Sequence, residues 1–311
     1  MHVAEDTRAR VPWQVWFVLL AAIWGCSFWW IKLGLTFLTP SHVAFVRTAL
    51  GAAALVTVLV ATRGRLPRDR RTWGHLVVVA FLANAIPATL FAYGETQISS
   101  VLAGIINATT PLATLVVVLI AFREEHITRE RIAGLAIGFA GVLIVIGVWD
   151  GLGTGDLLGI AACLGAVCCY GIAFPYMRRY LTGPGVQPIP IATGQVAVAA
   201  LVLLPVAALA GGPIATPTPD AVLAMVGLGV LGTGIAYALN YRIIAAAGST
   251  TASTVTYLAP VVAVVVGTVF LAEPLSWHEP VGAAVVLFGV AVSHGHLRRS
   301  RVRAVIARAR A

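Results

Sequence analysis

Acidic side chains are scarce in this chain: 12 Asp and Glu stand against 21 Lys and Arg, and none falls in the middle of an apolar stretch. A proton-carrying carboxylate deep in a membrane is therefore not visible, and Glu95, at the end of the third apolar stretch, is the nearest candidate. Long polar segments are also missing. The longest polar connection, Arg63 to Arg71, has no room for an inserted soluble domain, so function must reside among the apolar segments. The four cysteines, Cys26, Cys163, Cys168 and Cys169, lie inside apolar stretches without the spacing of a zinc site or a disulfide framework, and read as small buried hydrophobes. The histidines fall in tails or near the ends of apolar stretches, and His294 and His296 are two apart, so they share no helical face. No metal site is expected. GxxxxGK[ST], HExxH and GxSxG are all absent. Without a deep nucleophile beside a base, the chain does not read as an enzyme, and no cofactor is expected.

What is abundant is apolar surface. With 59% hydrophobic and 11% charged residues and a mean hydropathy of +0.92, 311 residues carry more apolar side chains than one water-soluble core can hide. A membrane-crossing helix needs about 20 mostly apolar residues. Ten such stretches occur, at 13–34, 41–62, 73–94, 99–122, 131–149, 157–178, 188–211, 219–241, 249–271 and 279–297. The expectation is an all-α integral membrane protein with ten transmembrane helices. Residues 1–34 pair a basic start with an apolar run, yet that run reaches span length and lacks a small-residue cleavage pattern, so it is expected to remain as the first span.

The net charge of +9 raises the question of nucleic acid, and the placement of the charges answers it. Nineteen of the 21 Lys and Arg fall on one side of a ten-span arrangement, leaving only Lys32 and Arg47 near the other face. Such one-sided arginines anchor topology and contact anionic lipid. The partners expected are the bilayer and a small molecule, with no nucleic acid, and both termini are expected in the cytoplasm. Division follows: a cytoplasmic tail at 1–12, five helices at 13–149, a linker at 150–156, five helices at 157–297 and a basic cytoplasmic tail at 298–311.

The two five-helix units repeat each other. Pro111, Glu125, Gly134 and Gly141 recur as Pro260, Glu273, Gly282 and Gly289 at offsets of 148 or 149 residues, and Trp24-Gly25 aligns with Tyr170-Gly171 at 146. Five is odd, so the second unit enters the membrane from the opposite face: two inverted repeats, an arrangement found in transporters.

Pro111 and Pro260 lie within the fourth and ninth stretches, where each removes the hydrogen bond to the carbonyl four residues back, at Asn107 and Thr256. In hydrocarbon those groups need partners, so both helix breaks mark a candidate pathway. Thr110 and Tyr257 share the faces of Asn107 and Thr256. Trp24, Tyr170 and Tyr237 lie too deep for the interfacial aromatic belt and suit the walls of a ligand pocket. Asn240 follows Tyr237 along one side of the eighth stretch, and Asn84 and Gln195 are further deep amides. Arg47 is the one full charge well inside a stretch. An arginine costs roughly 2.5–3.5 kcal/mol at a helix centre, so either it snorkels and bonds carbonyls or it faces water and attracts a carboxylate. Gly134, Gly138 and Gly141 allow close helix approach, which fits packing within one subunit or a homodimer contact.

Trp24-Gly25-Cys26-Ser27-Phe28, Pro40 followed by Arg47, and the duplicated Pro, Glu and Gly anchors resemble the drug/metabolite transporter superfamily, in particular its ten-span EamA-type members, over about residues 13–297. The resemblance implies an inner-membrane carrier with a central cavity between its repeats, working by alternating access and exporting amino acids or related metabolites. A membrane scaffold or receptor without flux is the alternative reading. One departure is that the second counterpart of Trp24-Gly25 reads Tyr170-Gly171.

Overall fold

The structure is a computed structural model that describes residues 12–118, 120, 129–147, 149, 154–183, 185–210, 215–247 and 255–293. All regular structure among the described residues is helical: α1 (Trp13–Gly34), α2 (Pro40–Ala61), α3 (Arg70–Gly94), α4 (Ser100–Val117), α5 (Arg129–Ile146), α6 (Thr154–Tyr180), α7 (Pro188–Ala210), α8 (Pro219–Ala247 in three continuous pieces), α9 (Val255–Phe270) and α10 (His278–Ser293). Among the described residues, seven helices, α1 to α4 and α6 to α8, are long and apolar enough to cross a membrane. The apolar parts of α5 and α9 are shorter, at Ile132–Val145 and Val261–Phe270. The chain is a multi-pass membrane protein.

Helix starts are set by local chemistry that hydropathy does not register. Asp69 accepts from the backbone N–H groups of Thr72 (2.9 Å) and Arg71 (3.2 Å), so α3 begins at Arg70, three residues before its apolar stretch. Ser99 caps α4 through Leu102 N–H (3.0 Å), and Thr218 caps α8 through Ala221 N–H (3.3 Å). Pro40 and Pro219 occupy first-turn positions, where no N–H is needed. Thr154 to Asp156, expected in the linker, form the first turn of α6, where the Asp156 carboxylate suits the positive end of the helix dipole.

Among the described residues, three helices depart from regular winding. The fourth breaks at Ala108–Thr109, between Ser100–Asn107 and Thr110–Val117, with Pro111 at the start of the second piece. α3 and α8 widen into π-helical turns at Ala80–Ala85 and Gly227–Ile235. Such turns leave carbonyls out of the regular ladder and gather at functional sites.

Helix pairing interleaves the two halves of the chain. α1 packs on α9 and α8, α2 on α7 and α8, α3 on α6 and α7, α4 on α6 and α9, and α5 on α10. Exchanging α1 to α5 with α6 to α10 leaves that set of partners unchanged. The α5–α10 contact shows why small residues recur there. A Cβ added at Gly141 would lie 2.6 Å from the Val286 nitrogen, and at Gly282 or Gly289 2.5 Å from the nitrogens of Val145 and Gly138. The backbones therefore meet directly, and the Gly134, Gly138, Gly141 face is used inside one subunit.

Candidate functional site

Between the halves lies a cleft of about 670 Å³, its open mouth included, whose wall draws on α1, α2, α3, α4, α6, α8 and α9. Its apolar wall is a run of aromatic rings. Phe28 meets Phe91 edge-on at 5.6 Å between centroids, Phe91 stacks on Tyr170 at 6.1 Å, and Tyr170 adjoins Phe174 at 6.4 Å. Trp24 meets Tyr237 at 6.3 Å and links α1 to α8. Rings in these geometries present flat, polarisable faces to a partly apolar ligand.

The polar groups on the wall are few. Arg47 of α2 donates from Nε to Thr233 Oγ1 (3.2 Å), and Thr233 Oγ1 donates in turn to Leu228 O (3.1 Å), a carbonyl of the π-helical turn in α8. No carboxylate lies within ion-pair distance of Arg47 among the described residues, and its guanidinium side chain lines the cleft. Asn240, fully buried in α8, has neither Nδ2 nor Oδ1 hydrogen-bonded to any described residue. A buried primary amide in that condition offers one acceptor and two donors to whatever occupies the cleft. Asn107 and Thr256, from the proline-bearing helices, and Ser27 of α1, whose hydroxyl donates to Ile23 O (3.0 Å), complete the polar set.

The structure thus brings Trp24, Arg47, Asn107, Tyr170, Tyr237, Asn240 and Thr256 to one cavity. Two other candidates have different surroundings. Thr110 is fully buried and donates to Asn107 O (2.7 Å), the carbonyl that Pro111 leaves without its helical partner, so its hydroxyl is used within the break. Asn84 accepts from Gln195 Nε2 (2.6 Å), while Tyr241 OH donates to Gln195 Oε1 (2.6 Å), a buried chain tying α3 to α7 and α8. Its neighbour Ala83 reaches the wall instead, and the Ala83 carbonyl, within the π-helical turn of α3, accepts from the Tyr237 hydroxyl. The side chains of Tyr257 and Pro260 lie outside the described residues, as does Glu125.

Sequence reasoning missed Phe28 and Phe91. Phe28 was within reach, because Trp24, Ser27, Phe28 and Ile31 follow the i, i+3, i+4, i+7 rule of one helical face and all line the cleft. Phe91 carried no comparable signal.

This constellation can hold an amphipathic small molecule but offers no nucleophile paired with a base and, among the described residues, no cluster of metal ligands. The profile of the EamA-like transporter family matches twice, over residues 11–147 and 157–294. The chain belongs to that family. It is therefore a membrane transporter of the drug/metabolite transporter superfamily and not an enzyme. Among its relatives, the uncharacterized transporter YdfC of Bacillus subtilis is 26% identical over 280 residues, covering 89% of each chain. An uncharacterized transporter of Archaeoglobus fulgidus is 24% identical over 292 residues, 88% of this chain and 96% of the relative. A solved crystal structure, 17% identical, superposes with a TM-score of 0.68 over 92% of this chain and 98% of that one, which shows a shared fold.

Proposed function

We propose that this protein is a secondary transporter that exports an amino acid or related amphipathic metabolite across the cytoplasmic membrane of a bacterium, by alternating access. Its architecture is ten transmembrane helices in two inverted five-helix repeats, with both termini in the cytoplasm. The double family match and the helix partners that survive exchange of the halves support the repeat, and the one-sided arginines support the orientation.

One observation carries the substrate class: a guanidinium without an ion pair and a buried amide without a hydrogen bond, among the described residues, set into an aromatic wall. Arg47 suits a carboxylate, Asn240 and Asn107 suit the polar remainder of the ligand, and the rings suit an apolar side chain. Few fixed polar groups in an apolar cavity are what small-molecule sites share.

The test is counterflow in proteoliposomes with labelled amino acids and small amphipathic metabolites. The expected result is exchange of a carboxylate-bearing solute that falls at least tenfold in apparent affinity in Arg47→Gln, the loss of about 1.5–3 kcal/mol from a hydrogen bond to a charged group. No exchange across a broad panel would favour the membrane scaffold or receptor.

A further inference from the structure

Glu95 follows the last helical residue of α3 and is 1% exposed, with neither carboxyl oxygen hydrogen-bonded to any described residue. Charged and titratable groups surround it from every packed element without meeting those oxygens. From α1, the Lys32 ammonium donates to the backbone carbonyls of Glu95 (2.7 Å) and Ile98 (3.0 Å). After α9, the Glu273 carboxylate accepts from Ser100 N (3.0 Å), Ser100 Oγ (2.8 Å) and Val101 N (3.1 Å), holding the N-terminus of α4. Arg47 of α2 and the buried Cys163 thiol of α6 are the remaining neighbours.

An ionised carboxylate without hydrogen bonds or water costs several kcal/mol, whereas the neutral acid is tolerated. A metal cation does not fit as the compensating charge, because hard cations need several oxygen ligands and the ammonium of Lys32 already occupies the carbonyls of Glu95 and Ile98. The position of Glu95 connects its state to the cavity. Phe91, one helical turn earlier on α3, and Ile31, adjacent to Lys32 on α1, both line the cleft. Separating α1 from α3 at this end, the end opposite the arginine-rich loops, would break the Lys32 contacts and admit water to Glu95.

We propose that Glu95 is a proton-binding site linked to transport: its carboxylate takes up one proton from the outer solution each time the outer end of the cavity closes, and returns it to water when that end opens. This rests on the alternating-access reading above. The step is R–COO⁻ plus H₃O⁺ giving R–COOH plus water, with no other reactant.

Two measurements test it. In infrared spectra of the purified full chain at neutral pH, the carbonyl stretch of a protonated carboxylic acid should be present in the wild type and lost in Glu95→Gln. In proteoliposomes, exchange should slow as external pH is raised, approaching tenfold per pH unit for a step needing one proton, while Glu95→Gln, permanently neutral and of the same shape, exchanges at a rate indifferent to external pH. A Glu95→Gln protein with the wild-type pH profile, or one that loses no acid band, would overturn the proposal. A wild-type chain that exchanges no solute would instead sink the transporter reading, and the infrared band would still decide the state of Glu95.

Discussion

Replacing Asn240 by leucine separates the two roles open to a buried amide. The side chain is fully buried and neither of its polar atoms has a partner among the described residues. A buried polar group left unpaired costs about 1–3 kcal/mol, and leucine has the same branched shape, with bulkier methyl groups that the adjoining cleft accommodates, and a better helix propensity. In the substrate-free protein, Asn240→Leu is therefore expected to stabilise by about 1–3 kcal/mol, seen as a raised midpoint of thermal unfolding in detergent. With substrate the sign reverses. A hydrogen bond from the amide to a charged ligand group contributes about 1.5–3 kcal/mol, so the half-saturating concentration in counterflow should rise roughly 10- to 100-fold. A substitution that improves stability and damages affinity marks a group kept for its ligand. The reasoning is refuted if Asn240→Leu lowers the unfolding midpoint and leaves half-saturation unchanged, the pattern of an amide that holds helices together.

Thr110→Val leaves the Asn107 carbonyl without the hydroxyl that replaces its missing helical partner, and is expected to cost about 1–3 kcal/mol in thermal unfolding, with Thr110→Ser restoring most of it. Gly141→Val puts a side chain where the α10 backbone already sits, 2.6 Å from the Val286 nitrogen. It should lower the unfolding midpoint by an amount equivalent to about 1–3 kcal/mol, whereas a change in oligomeric state alone on size-exclusion chromatography would move that glycine face to a dimer contact. The Thr72 and Arg71 backbone N–H groups, in that order, hold the exposed Asp69 carboxyl below its usual range. A group whose folded value is depressed stabilises above its unfolded value and loses that contribution as pH falls through the folded one. The midpoint gap between wild type and Asp69→Ala should accordingly be largest near neutral pH and close in acid below the ordinary aspartate range.

The fold was legible because a bilayer leaves few solutions. Apolar stretches of about 20 residues become helices once every backbone group must bond within its own segment, and each expected stretch overlaps an observed helix. Helix ends were less legible. Hydropathy does not count Arg70, Arg71 and Thr72, which the Asp69 cap draws into α3, and it does not see that Thr154 to Asp156 start α6. The π-helical turns in α3 and α8 left no signal in the apolar pattern. For the cavity, depth carries the signal: Trp24, Tyr170 and Tyr237 lie away from the interfacial belt, and a charge inside a span, as at Arg47, must be answered by protein, water or ligand. Depth failed for Asn84, because an amide can be satisfied by another amide across a helix contact, and Gln195 does so. Which of two buried amides is satisfied depends on the three-dimensional neighbour, which spacing along one helix cannot give.

Proline links these points, since it fixes from sequence which carbonyl loses its helical bond, though not what replaces it. Pro111 frees the Asn107 carbonyl and a neighbour in the same helix, Thr110, satisfies it. The Ala83 carbonyl, in the π-helical turn that precedes Pro87, is reached instead by a helix from the other half of the chain, through Tyr237. The first bond survives any rigid movement of the halves. The second cannot, because its donor and acceptor lie on helices from different halves. If the halves rock against each other during transport, the Ala83 carbonyl must exchange the Tyr237 hydroxyl for water or ligand. An oxygen that loses its protein donor in one arrangement and regains it in another, on the wall of the cavity, is a group through which an occupant can bias the two arrangements.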